Sequence, residues 1–161
     1  MNEHLSAYLN DHLAAANSAI DLLQLLRDQY PGKPIAAFAL EMMSQVREDR
    51  TFLQNILDRM GNGPSAIKQA AGWLGSKVSE LKFTPDPYGT FRTLETLSLG
   101  VEGKLLLWQT LASLAGANSA LQNLAFDNLM ARGKKQRVDI EQQRMLMAEA
   151  AFTAPVPVPA P

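Results

Sequence analysis

An all-α four-helix bundle is the fold this sequence predicts, and three observations carry the prediction. Apolar residues recur four and three apart over long windows, the spacing of one buried stripe on a helix. Clusters of Pro and Gly at Pro31–Pro34, Gly61–Pro64 and Pro85–Pro87 punctuate those windows. The 161 residues suit one domain that buries enough apolar surface to fold without staples, and no internal repeat is apparent.

The first helix is expected from Leu5 to Tyr30. Its stripe is Leu5, Leu9, His12, Ala16, Ala19, Leu23, Leu26 and Tyr30, widened by Leu13 and Ile20, with Asn10, Asp11, Asn17 and Asp21 toward the other side. Pro31-Gly32-Lys33-Pro34 stops it, Gly allowing the turn and Pro34 suiting the first turn of the next helix. So short a turn makes the first two helices antiparallel neighbours.

The second helix, Ile35 to Met60, is the most regular. Ile35, Ala39, Met42, Val46, Asp49, Leu53, Ile56 and Met60 form its stripe, and one of them, Asp49, is a carboxylate. After Gly61-Asn62-Gly63-Pro64, Ser65 caps a shorter helix carrying Ile67, Ala70, Ala71, Leu74, Val78 and Leu81, read as a crossover. The link through Pro85-Asp86-Pro87 leads to a third long helix starting near Thr90, with Phe91, Leu94, Val101, Leu105 and Trp108 in its stripe and Ser98 inside it. Gly100 and Gly103 are weak helix formers, read as points of close helix approach. Gly116 to Leu124 is expected to be a loop with room for a turn of helix. The last helix runs from about Asp127 to Ala151, with Ala131, Val138, Met145, Ala148 and Phe152 as its stripe and Gly133 as a bend. Residues 1–152 thus make one bundle domain. Residues 153–161, where Pro155, Pro157, Pro159 and Pro161 alternate with Val or Ala, make an extended tail.

Composition removes several functions. The 15 basic and 16 acidic residues nearly cancel, which argues against a nucleic-acid or anionic-membrane partner. No cysteine is present, so disulfides, thiol nucleophiles and thiolate metal sites are excluded; a reducing, cytoplasmic setting fits. No secretory signal opens the chain, and the most apolar window, Val101 to Leu114, is broken by Glu102, Lys104 and Gln109. No GxSxG, HExxH or phosphate-loop pattern occurs.

Setting the helices level by their turns brings His12, Asp49, Glu102 and Glu141 to about one height. Four long helices, each with an acidic or imidazole group at mid-height, plus a crossover between the second and third, resemble the ferritin-like fold. The segments Tyr8-Leu9-Asn10-Asp11-His12-Leu13, Glu48-Asp49-Arg50 and Leu97-Ser98-Leu99-Gly100-Val101-Glu102-Gly103-Lys104 also look like those of small uncharacterised bacterial proteins grouped with that superfamily. The resemblance implies a di-iron or di-manganese centre in members that keep a Glu on two helices and an ExxH pair on each of the others.

This chain departs from that pattern. Glu48 is followed three positions on by Thr51, and Glu141 by Arg144, while both histidines, His4 and His12, sit on the first helix. The leading expectation is therefore a non-enzymatic bundle, a stress-associated or protein-interaction protein meeting a second copy or another protein through its helix faces. In it the mid-height residues form a buried polar layer, with His12, Arg144 or Arg50 as partner to Asp49. One alternative is an oxidative metal protein that binds iron or manganese through His12, Asp49, Glu102 and Glu141. Another is a bundle holding an apolar ligand in a pocket lined by Met42, Leu97 and Met145.

Overall fold

The turn at Pro31–Pro34 and the main apolar stripes of the first three long helices fall where the sequence places them. In the computed structural model, which describes residues 3–61 and 84–153, helix α1 spans Glu3–Gln29 and α2 spans Pro34–Arg59. Helix α3 spans Pro87–Leu114, a 3-10 turn covers Ser119–Leu121, and α4 spans Phe126–Thr153. The described residues are all-helical, with these four long helices and no strand. The expected crossover helix and the Pro-rich tail from Ala154 lie outside the described residues.

Local chemistry explains the boundaries. At the α1–α2 turn Gly32 takes a φ of +73°, which a side chain would resist, and Pro34 opens α2 where its missing N–H leaves no bond unmade. Helix α3 starts three residues ahead of Thr90, because the Asp86 carboxylate caps it by accepting from the Gly89 N–H at 2.6 Å. The end of α1 is tied to the start of α3 by a 2.6 Å hydrogen bond between the hydroxyls of Tyr30 and Thr90.

Helix α1 packs chiefly on α2 and α3 chiefly on α4, while contacts between the two pairs are sparser. Two apolar clusters fill the interior. One joins Leu22, Leu23 and Leu26 to Ile35–Val46 of α2, Leu94–Val101 of α3 and Ile140 of α4. The other joins Leu9 and Leu13 to Leu53–Leu57, Leu107–Leu111 and Leu121–Leu129. On α2, α3 and α4 the interval between the clusters is held by Asp49, Lys104, Arg132 and Gln136.

Three expectations are corrected. The buried stripe of α4 is Phe126, Leu129, Gly133, Gln136 and Ile140, whereas Val138, Met145 and Phe152 are more than half exposed. A glycine and a glutamine hide the true stripe from a count of apolar residues. Asn10, placed on the outer side, is buried, its side-chain amide donating back to the Ser6 carbonyl at 2.9 Å. The close approach falls at Gly133, where a Cβ would lie 2.8 Å from Leu105, and not at Gly100 or Gly103, where it would meet nothing within 4 Å.

Candidate functional site

Asp49 is the centre of the interior polar group. It sits on the buried stripe of α2, is 4% exposed, and meets cations from two other helices. Lys104 of α3 donates to Asp49 Oδ2 at 2.5 Å and also to the Gln136 side-chain oxygen. Arg132 of α4 donates to Asp49 Oδ1 and, through its other terminal nitrogen, to Glu48 Oε2 at 3.1 Å. Gln136, one turn beyond Arg132, uses its amide group on Asp49 Oδ2 at 3.3 Å and on Gln45 Oε1 at 3.1 Å. The spacing of four residues between Gln45 and Asp49, and again between Arg132 and Gln136, puts each pair on one helix face.

Both oxygens of the carboxylate are thus engaged, and the layer bolts α2 to α3 and α4 where those helices otherwise touch least. Burial pulls the Lys104 ammonium below its usual pKa, Asp49 opposes that shift by attraction and hydrogen bonding, and Arg132 adds to it by repulsion.

The candidate ligands read from sequence do not gather. His12 is half-buried, packs edge-on against the Tyr8 ring at 4.6 Å between centroids, and lines a cleft with Asp49 without hydrogen-bonding to it. Desolvation lowers its pKa below the ordinary 6.5, with Asp11 partly opposing, so the ring is neutral near pH 7. Glu102 lies on the outer side, 3.2 Å from Arg137. Glu141 holds Arg144 at 2.6 Å, which lowers the carboxyl pKa, and Arg144 stands 4.9 Å from the centroid of the Phe91 ring. Among the described residues no three His, Asp or Glu side chains are grouped closely enough to hold a metal ion.

The expected partners of Asp49 are therefore replaced. Arg144 is occupied by Glu141, and Arg50 lines the cleft without an ion pair to Asp49. The residues that do the pairing, Lys104, Arg132 and Gln136, carry a signal that periodicity could have shown. Lys104 stands three after Val101 and four before Trp108, and Gln136 stands three after Gly133 and four before Ile140. Each holds an interior position while looking like a surface residue.

A cleft of about 70 Å³ opens beside this layer, walled by α1, α2 and α3 with Ile140 of α4. Met42 and Leu97 line it as expected, but Met145 does not; its side chain is 56% exposed. No helix among the described residues is long and apolar enough to cross a membrane. Against protein-family models, curated proteins and solved structures the chain finds no match.

Proposed function

We propose that this chain is a non-enzymatic antiparallel bundle of ferritin-like arrangement that acts by binding through its helix faces, with the Asp49 layer serving register and cohesion. The carrying observation is the state of Asp49: its two oxygens accept from Lys104, Arg132 and Gln136. A metal ion there would have to displace two cations, and the ammonium and guanidinium would then repel it. A buried polar group of this kind favours one helix register over slipped alternatives, because any slip leaves charges unpaired in the interior.

A protein-interaction role draws on the outer side of α3 and α4. Leu99 and Leu106 stand seven apart on α3, as do Val138 and Met145 on α4, and all four are more than half exposed. The Glu102–Arg137 pair joins these two helices on that side. Apolar side chains seven apart, framed by charge, suit a further helix from a second copy or another protein.

Metal analysis of protein purified without chelator tests the proposal. Less than about one tenth of an equivalent of iron, manganese or zinc is expected, since no group of three ligands exists among the described residues. Near-stoichiometric metal that disappears in Asp49→Ala would overturn it.

A further inference from the structure

The cleft beside the polar layer has a composition that the layer does not explain. Its body is apolar, lined by Met42, Val46, Leu97 and Val101 together with the small residues Ala16 and Ala19 of α1. Its polar members are His12, Asp49, Arg50, Lys104 and Trp108. Asp49 and Lys104 are engaged with each other.

Two donors on the wall are not engaged. The indole Nε1 of Trp108, a residue 1% exposed, and the Nε of Arg50 are buried with no hydrogen-bond partner among the described residues. A buried N–H without an acceptor is costly, and each such group in a native fold asks for an explanation. Arg50 brings a guanidinium to the cleft, and with Asp49 balancing Lys104 its lining carries one net positive charge. The unmet needs of the cleft are thus an acceptor, a negative charge and an aliphatic filling.

We propose that this cleft binds a short-chain aliphatic monocarboxylate, its hydrocarbon chain among the α1 alanines, Met42 and Leu97 and its carboxylate accepting from Arg50 and Trp108. Size agrees with this. An apolar cavity of about 150 Å³ takes the six carbons of benzene, so the 70 Å³ here takes about three carbons, the propyl chain of a four-carbon acid. A primary amine of the same length would set its charge against Arg50 and bring no acceptor to the indole. The proposal is independent of the role given to the Asp49 layer: metal content tests that role, ligand titration tests this site.

Butanoate is the probe, with butylammonium as the control of opposite charge, titrated into the full chain carrying Trp73→Phe so that Trp108 is the sole tryptophan emitter. Saturable change in Trp108 fluorescence is expected with a Kd of about 0.1 to 10 mM, the range open to so small a ligand. Butylammonium should bind at least about tenfold more weakly, as should butanoate to Arg50→Gln, because a charge-assisted hydrogen bond is lost. Ala16→Leu, which adds bulk to the cleft lining, should abolish binding. Should Arg50→Gln prove unstable, Ala16→Leu still decides. Absence of saturation in the parent protein, equal affinity for butanoate and butylammonium, or unchanged affinity in Ala16→Leu would each overturn the assignment.

Discussion

Replacing Asp49 by alanine removes one side chain and strands several others. Among the described residues, the Lys104 ammonium, whose side chain is 15% exposed, loses the one carboxylate it meets, and the Gln136 amide loses one of its two acceptors. Arg132 suffers less, because it is 32% exposed and keeps Glu48 at 3.1 Å. Breaking a buried ion pair from one side costs about 3–5 kcal/mol. The Glu48 contact and the better helix propensity of alanine put the expected loss at the lower end, about 3 kcal/mol. In urea, with a slope of about 2 kcal/mol per M, the unfolding midpoint should fall by about 1.5 M. In a thermal melt the same loss corresponds to about 6–12 °C. The triple variant Asp49→Leu, Lys104→Met, Gln136→Leu removes both sides of the pairing at similar volume. It should recover to within about 1 kcal/mol of the parent, since an apolar replacement of a buried ion pair is often neutral and Arg132 keeps its contact with Glu48. A loss below about 1 kcal/mol in Asp49→Ala would refute the claim that the layer holds α2 to α3 and α4.

Two further outcomes follow from the same geometry. Gly103→Ala should raise stability by about 1 kcal/mol, its new methyl meeting open space and its helix propensity improving, whereas Gly133→Val should lower it by about 1–3 kcal/mol by driving a branched side chain into Leu105; paired urea titrations read both. His12 has a pKa lowered by burial, so the unfolded chain binds its proton first as pH falls. Its contribution is therefore fully present above the unfolded value near 6.5 and is lost as pH drops through 6.5 toward the folded pKa. Stability measured from pH 8 to pH 5 should decline less in His12→Gln than in the parent, and parallel curves would contradict the buried, neutral ring.

The helical class, the α1–α2 turn and the buried faces of α2 and α3 were legible in the sequence, because they rest on local spacing. Seven of the eight residues in the α2 stripe are buried, Met60 alone being half-buried at the helix end. The Pro-Gly-Lys-Pro turn and the Asp86 cap act through bonds within a few residues, so their chemistry is set before any tertiary contact forms. That Asp49 is buried and needs a partner was equally plain from its place in an apolar row.

Which partner it takes was decided only by the tertiary structure. Lys104 and Gln136 are long polar residues whose stems cover apolar neighbours while their heads reach Asp49; spacing sets them on inner helix faces, but nothing local says what they meet there. Arg144, one of the three partners expected for Asp49 beside His12 and Arg50, is captured within its own helix by Glu141, three residues away, at no cost in loop closure. The inner face of α4 turned out to be a row of Gly133, Gln136 and Ile140 because Leu105 needs the missing Cβ and Asp49 needs the amide. Spacing determines which face of a helix can be buried; what the facing helices present determines which side chains that face must carry.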